Sequence, residues 1–172
     1  MGNTILKRII HVVLVLVIFS YTNTYKCEVL KMTLSVGTGD DIVAEGAIVK
    51  KVATIPKYEQ NPFLEGPAAD KEGNVYFTDQ KNNRIYIWSV DEKLIQFMDN
   101  AQRSNGLYFD ANGKLISCAA ELNRLISIDM NGVVEVLVDG YDGKLLNGPN
   151  DLWVDTKGGI YFSDTYYYRT YW

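Results

Sequence analysis

The chain has 172 residues, of which 47% are hydrophobic and 22% charged, and its formal net charge is −4. This balance is typical of a globular protein and excludes a disordered or fibrous one. Because the sequence has no run of Lys and Arg, it offers no electrostatic basis for binding nucleic acid. Its 12 Tyr, 6 Phe, 3 Trp and 14 Gly are typical of short strands joined by tight turns.

Residues 1–24 have the pattern of a secretory signal peptide. Lys7 and Arg8 form a positive start, and an apolar run of 11 residues follows from Ile9 to Phe19. Since a membrane-spanning helix needs about 20 residues, we expect cleavage after Thr24 and a secreted or periplasmic chain with no stable membrane anchor. An uncleaved anchor is the alternative.

The mature chain would contain no histidine, because His11 is the only one in the sequence. This excludes Ser-His-Asp and Cys-His catalysis and any metal site with histidine ligands. Of the two cysteines, Cys118 lies in a predicted strand and is expected to be buried. A disulfide with Cys27 is the alternative in an oxidising compartment.

Residues 25–60 form an N-terminal segment with a weak pattern. The stretch 35–41 is typical of a loop, and 47–55 is the one candidate strand. We interpret that strand as a candidate for the outer strand that closes a ring of blades.

A repeat organises residues 61–172. Three segments superimpose without gaps, and their first residues are 65, 105 and 150, which gives periods of 40 and 45 residues. A period of this length, filled by strands, is typical of the four-stranded blades of a β-propeller. The segments are Glu65–Asp79, Asn105–Ala119 and Asn150–Asp164.

Each repeat predicts the same succession of strands. A short apolar run ends at an Asp-x-x-Gly turn, and a second strand follows the turn. The second strands are predicted at 74–78, 114–118 and 159–163, the third at 83–88 and 123–128, and the fourth at 94–98 and 133–138. Since no helical periodicity is sustained, the sequence predicts an all-β propeller with little helix.

Glu65, Asn105 and Asn150 share the first position of the repeat. Equivalent positions on the innermost strands of a propeller meet around its axis, so these side chains are expected to converge. Residues at turns or strand entries are the simpler alternative. One carboxylate with two carboxamides makes an oxygen-rich cage, which favours Ca²⁺, Mg²⁺ or Mn²⁺ over structural zinc.

These residues stand in motifs that resemble the gluconolactonase/regucalcin (senescence marker protein) family of six-bladed propellers. The resemblance covers about residues 60–172 and includes several motifs in the right order. The motifs are Glu65-Gly66-Pro67, Arg103-Ser104-Asn105-Gly106-Leu107, Leu146–Leu152 and Gly159–Asp164.

The resemblance implies a lactone hydrolase with one divalent cation in the channel, Ca²⁺ ahead of Mg²⁺, Mn²⁺ or Zn²⁺, and a sugar lactone as substrate. It makes Glu65 and Asn150 metal ligands, and it places Arg103, Asn105 and Asn150 at the substrate. The alternative is a non-catalytic propeller fragment that binds a ligand or a protein.

Residues 61–172 supply about three blades, whereas propellers close with 4 to 8. The family completes its cage with the Asn of a Pro-Asn-Gly motif and with an Asp that is also the candidate base, and neither lies in this sequence. We therefore expect an incomplete propeller, the N-terminal portion of the family's domain, which carries part of an active site.

Other prominent residues have structural interpretations. Asp79 and Asp164 each end a second strand and are expected to bind turn backbones. Trp88 and Trp153 are expected to pack between blades. The aromatic stretch 166–172 is either a sugar-stacking loop at the channel mouth or a loop that packs against the next blade.

Overall fold

The computed structural model describes residues 48–56 and 61–168. Of the described residues, 55–56 and 61–168 belong to one compact unit, and 48–54 belong to another. Residues 48–56 form no strand, so the described part of the predicted strand at 47–55 is not one. The predicted signal peptide, Cys27 and the end of the aromatic stretch lie outside the described residues.

Ten strands lie in the described residues, and no helix is found among them, so none there is long and apolar enough to span a membrane. The strands are β1 (Leu64–Ala69), β2 (Val75–Asp79), β3 (Arg84–Trp88), β4 (Leu94–Asp99), β5 (Ser104–Phe109), β6 (Leu115–Ala119), β7 (Arg124–Ile128), β8 (Val134–Val138), β9 (Pro149–Val154) and β10 (Ile160–Asp164). They form antiparallel sheets in the orders β1-β2-β3-β4, β5-β6-β7-β8 and β10-β9. This confirms the predicted blades: two have four strands, and the third has two.

Each first strand leads into the second through the predicted Asp-x-x-Gly turn. In the second blade, Oδ1 of Asp110 accepts the N–H groups found two and four residues later, at 2.9 and 2.8 Å. Gly113 supplies the left-handed backbone of this turn, with φ of 79°. Asp70 and Asp155 make the equivalent bonds. Local hydrogen bonds that reach no further than four residues therefore form this turn in every blade.

The blades pack face to face through two apolar clusters. The ring of Tyr76 lies between the first two blades and meets Phe97 and Phe109 edge-on, with centroids 5.3 and 5.0 Å away. The buried residues of this cluster are Tyr76, Ile85, Ala101, Leu107, Leu115, Ala119, Ile126 and Ile128. Those between the second and third blades are Ile116, Cys118, Leu125, Leu152 and Val154. Removal of these side chains from water holds consecutive blades together.

The third blade has one face that no described residue covers. Trp153 and Tyr161 stand on it, 53% and 58% exposed, with ring centroids 5.3 Å apart. The equivalent residue of the second blade, Tyr108, packs in the cluster against the third blade. The prediction that Trp153 packs between blades is therefore wrong for this structure, because no described blade follows the third. Trp88, on β3, is half-buried.

The first strands of the three blades lie side by side, since β5 contacts β1 on one side and β9 on the other. Each contains a β-bulge near its start, where the pairing register shifts by one residue. The shifts lie between Glu65 and Ala68, between Ser104 and Leu107, and between Pro149 and Leu152. Bulges redirect neighbouring side chains and are frequent beside functional sites. These three occupy the predicted site positions.

Candidate functional site

The predicted cage residues all lie at the starts of these inner strands. Glu65, Asn105 and Asn150 are the second residues of β1, β5 and β9, respectively. Because β5 lies between the other two strands, Asn105 is flanked by the strands of Glu65 and Asn150. The structure thus places one carboxylate and two carboxamides at the same end of three adjacent strands.

Two glycines allow the inner strands to approach closely at this end. A Cβ on Gly66 would clash with the carbonyl oxygen of Asn105, and Gly66 itself has φ of 50°. A Cβ on Gly106 would lie 2.5 Å from Oδ1 of Asp151 and 2.8 Å from the carbonyl oxygen of Asn150. Since real Cβ atoms do not come so close to such atoms, only glycine fits at either position.

Glu65 is half-buried, and its carboxylate has no ion pair or hydrogen bond with the residues that the structure describes. Its pKa is raised above the ordinary value, first by burial, which disfavours the charged form, and then by the negative charge of Asp151. A cation bound here would counter both effects, because a neighbouring positive charge favours the ionised form.

Asp151 also belongs to this end of the strands, although it is not among the predicted site residues. Its side chain is exposed, its Oδ1 accepts the N–H of Leu152 at 2.9 Å, and the same atom lies over the bare Cα of Gly106. It follows Asn150 directly in a Pro-Asn-Asp triplet. That triplet is the only signal in the sequence, and it does not reveal that the charge of Asp151 acts on Glu65.

Asn105 is the most deeply buried of the predicted site residues, with 6% of its surface exposed. Its backbone carbonyl accepts the hydroxyl hydrogen of Thr78 at 3.2 Å, which links the second blade to the first. Within the described part of the chain, its carboxamide has no hydrogen-bond partner. Its unpaired atoms still reach solvent, since Oγ of Ser127 is the one fully buried unpaired polar side-chain atom among the described residues, so a ligand could bind this carboxamide.

The carboxamide of Asn150 is held by an aromatic residue. Nδ2 of Asn150 donates a hydrogen bond to the hydroxyl oxygen of Tyr167 at 3.0 Å. A carboxamide has an amino end with two N–H donors and an acceptor oxygen, and this bond uses one of the two donors. The oxygen Oδ1 of Asn150 is therefore the atom left for a cation or a substrate.

Arg103 lies on the loop before β5 and has a left-handed backbone, with φ of 50°. Its backbone N–H donates to Oδ1 of Asn83 at 2.6 Å, so the turn before β3 holds this loop. The guanidinium is exposed and forms no ion pair with a described residue. Six other described non-glycine residues share this conformation, including the exposed Glu92 and Asp142, so it shows a tight turn and not a ligand site by itself.

Asp79 and Asp164 bind backbone groups, which confirms their predicted structural role. Asp79 is fully buried, and its Oδ1 accepts the N–H of Phe63 at 3.0 Å. Oδ1 of Asp164 accepts the N–H of Gly148 at 2.9 Å. Both carboxylates anchor the segment that enters an inner strand, so they support the site from outside it.

The donor atoms at this end suit a hard divalent cation. Across residues 48–56 and 61–168, no three His, Cys, Asp or Glu side chains converge to hold a metal. Cys118 is buried as predicted and is a free thiol, and burial raises its pKa to about 12, so it is not a thiolate ligand at neutral pH. Carboxylate and amide oxygens remain, and these are the ligands that Ca²⁺ and Mg²⁺ prefer.

Comparison with known sequences gives one family. The sequence model of the SMP-30/Gluconolactonase/LRE-like region matches residues 63–170. A gluconolactonase of Zymomonas mobilis subsp. mobilis is 29% identical, and the match covers 61% of this chain and 34% of that protein.

Solved structures give the same result. A gluconolactonase of Xanthomonas campestris is 32% identical with a TM-score of 0.58, over 62% of this chain and 36% of its own. A putative gluconolactonase is 32% identical with a TM-score of 0.63, over 72% of this chain and 42% of its own. Virginiamycin B lyase from Staphylococcus aureus, at 18% identity and a TM-score of 0.50 over 62% of this chain and 36% of its own, shows the shared fold alone.

The chain spans between 34% and 42% of the length of these gluconolactonase relatives. The family match at residues 63–170 includes every inner strand, both complete blades and all four predicted site residues. The chain therefore belongs to the SMP-30/gluconolactonase/LRE-like family.

Proposed function

We propose that this chain forms part of a divalent-cation-dependent lactone hydrolase of the gluconolactonase type. The observation that carries the proposal is Glu65, a half-buried carboxylate with a raised pKa and no cationic partner among the described residues. It lies at the end of the inner strands where the carboxamides of Asn105 and Asn150 also lie. Membership of the family supports the reaction class.

The cation that we propose is Ca²⁺, with Mg²⁺, Mn²⁺ and Zn²⁺ as alternatives. Ca²⁺ takes 6–8 oxygen ligands, and a carboxylate oxygen of Glu65 and Oδ1 of Asn150 would be two of them. Asp151 adds negative charge near Glu65, which strengthens the attraction for a divalent ion. Water, substrate and further blades would supply the other ligands.

The substrate that we propose is a sugar lactone. The chemistry supplied by a bound cation is polarisation of the lactone carbonyl and stabilisation of the negative charge that attack by water creates there. Glu65 acts as a ligand and not as a base, because its charge is needed at the ion. Arg103 and Asn105 donate hydrogen bonds to the hydroxyl oxygens of the sugar and so orient the ring.

The test compares the full chain with Glu65→Gln. Calorimetric titration with Ca²⁺ measures binding, and alkali consumption measures hydrolysis of gluconolactone. The variant should lose measurable cation binding and cation-dependent hydrolysis, because a neutral amide replaces the one charged ligand proposed among the described residues. Glu72→Gln makes the same change on an exposed turn and should behave like the parent chain.

Two outcomes would count against the proposal. Cation-dependent hydrolysis that survives in Glu65→Gln would overturn the assignment of Glu65. Binding of Ca²⁺ or a sugar lactone without hydrolysis, in a protein that also carries the family's Pro-Asn-Gly motif and later Asp, would support the alternative function, a non-catalytic propeller that binds a ligand.

We also propose that residues 1–24 are a signal peptide and that the mature chain is secreted or periplasmic without a membrane anchor. Expression of the full chain in an exporting host should release a product whose N-terminal residue is Tyr25. Mass spectrometry of the released product measures this. A full-length chain retained in the membrane fraction would contradict the proposal.

A further inference from the structure

The segment after β10 folds back over the start of β9. Thr165 donates its backbone N–H to the carbonyl oxygen of Gly148 at 3.2 Å. The carboxylate of Asp164 accepts the backbone N–H of Asn147 at 2.8 Å and that of Gly148 at 2.9 Å. The residues that follow β10 are thus fastened to the residues that lead into Asn150.

Gly148 makes room for an aromatic ring in this arrangement. A Cβ on Gly148 would lie 2.6 Å from Cδ2 and 3.2 Å from Cε2 of Tyr167, so the ring rests directly on the bare backbone. The hydroxyl oxygen of Tyr167 then accepts a hydrogen bond from Nδ2 of Asn150 at 3.0 Å. The ring therefore fixes where the carboxamide of Asn150 lies, and in the structure its amino end faces the hydroxyl.

A carboxamide can bind a cation only through its oxygen, and rotation by half a turn exchanges that oxygen with the amino group. An unheld carboxamide must select one orientation when the ion binds, and that selection costs affinity. Tyr167 lowers this cost for Asn150, because its hydroxyl is already bonded to the amino group in the structure.

We propose that Tyr167 is a positioning residue for the cation site: its hydroxyl holds Nδ2 of Asn150 so that Oδ1 is presented to a divalent cation. This inference rests on the proposed function, since it assumes that Asn150 is a ligand. In this proposal Tyr167 acts through Asn150 and is not itself a ligand. It also gives one residue of the aromatic stretch a role that neither interpretation from the sequence contains.

The first experiment compares Tyr167→Phe with Tyr168→Phe in the full chain. Tyr167→Phe removes the hydroxyl and keeps the ring against Gly148, so the fold should be unchanged. Tyr168 is the neighbouring residue, is 79% exposed and serves as the matched control. Titration with Ca²⁺ should show an affinity about three- to tenfold lower for Tyr167→Phe, the range expected for one lost hydrogen bond. The control should bind like the parent chain.

The second experiment separates positioning from general support. In Asn150→Asp both terminal atoms are oxygens, so no orientation has to be selected. Tyr167→Phe should then weaken Ca²⁺ binding in the Asn150 chain and have much less effect in the Asn150→Asp chain. An equal loss in both backgrounds would show a structural role and overturn the inference.

A metal-free measurement distinguishes the inference from the proposed function. In ¹⁵N-labelled protein, the side-chain amino signals of Asn150 should move in Tyr167→Phe and stay in place in Tyr168→Phe. If the signals move and the parent chain binds no Ca²⁺, the contact exists but both the cation site and its positioning role are overturned. If the parent chain binds Ca²⁺ and Tyr167→Phe binds it equally well, the inference alone fails.

Discussion

The first strand of each blade has two ends with different roles. The turn end leads into the Asp-x-x-Gly turn, and the site end carries Glu65, Asn105 or Asn150. At the turn end, Asp70, Asp110 and Asp155 accept the same pair of backbone N–H groups in every repeat. At the site end, the equivalent positions hold Glu65 in one blade and asparagine in the next two. The repeat is constant where it closes a turn and varies where three strands meet.

Electrostatics make the same distinction. Hydrogen bonds from the backbone N–H groups of Gly159 and Lys157 lower the pKa of Asp155, so the turn stabilises its charge. Burial and Asp151 raise the pKa of Glu65, so the site end keeps a charge that the folded chain does not stabilise. A destabilised, unpaired charge in a defined position is typical of a functional site.

The largest effect is expected where two strands touch at the site end. Gly106→Ala places a methyl group 2.5 Å from Oδ1 of Asp151 and 2.7 Å from its Cα, which forces β5 and β9 apart. The chain should lose about 3 kcal/mol or more of unfolding free energy. Urea unfolding followed by far-ultraviolet circular dichroism measures this.

Gly113→Ala is the matched control at the turn end. Gly113 has φ of 79° but open space around a Cβ, so only the backbone strain of about 1 kcal/mol applies. If Gly106→Ala and Gly113→Ala lost the same unfolding free energy, the close contact between β5 and β9 would not distinguish the site end from the turn end.

A smaller loss is expected from the carboxylate that supports the site end. Asp79→Ala removes the carboxylate that accepts the backbone N–H of Phe63 and the side-chain amide of Asn82. Because Asp79 is fully buried, the loss should be about 2–3 kcal/mol in the same unfolding assay. If Asp79→Ala lost less unfolding free energy than Asp110→Ala, a substitution in an exposed turn, the anchoring role would be contradicted.

At the turn end, Asp110→Ala removes the acceptor for two backbone N–H groups that can turn to water instead. The expected loss is therefore about 1 kcal/mol. Calorimetric titration should show unchanged Ca²⁺ affinity in this variant, because the turn lies at the opposite end of the strand. A clear fall in affinity would mean that the two ends are not independent.

Without added cation, lowering the pH should stabilise the fold through Glu65 at the site end and destabilise it through Asp155 at the turn end. Glu65 has a raised pKa in the folded chain, so its protonated form stabilises the fold at low pH and that contribution is lost as pH rises. Asp155 has a lowered pKa, so its contribution is present above its unfolded pKa near 3.8 and is lost as pH falls.

Urea unfolding of Glu65→Gln and Asp155→Asn across acid and neutral pH tests this contrast. Glu65→Gln should gain stability over the parent chain mainly near neutral pH, because the uncompensated charge is gone. Asp155→Asn should lose stability mainly near neutral pH. The same pH dependence in both variants would remove the electrostatic distinction between the ends.

Much of the fold could be predicted from the sequence because its causes are local. An Asp followed by a Gly three residues later forms its turn with bonds that reach no further than four residues. Alternating apolar residues beside such a turn predict the paired strands. The repeat then aligned Glu65, Asn105 and Asn150, and the structure places all three as the second residues of inner strands.

The remaining features depend on contacts between segments far apart in the chain. The bulges, the approach of Asp151 to Glu65 and the bond from Asn150 to Tyr167 arise only when the strands pack. The exposure of Trp153 likewise depends on whether another blade covers it, although the residue itself is typical of a core. The sequence determines local hydrogen bonding and side-chain periodicity, because both involve residues close together in the chain. Tertiary packing determines the burial and the partners of each site residue, because both depend on segments far apart in the chain.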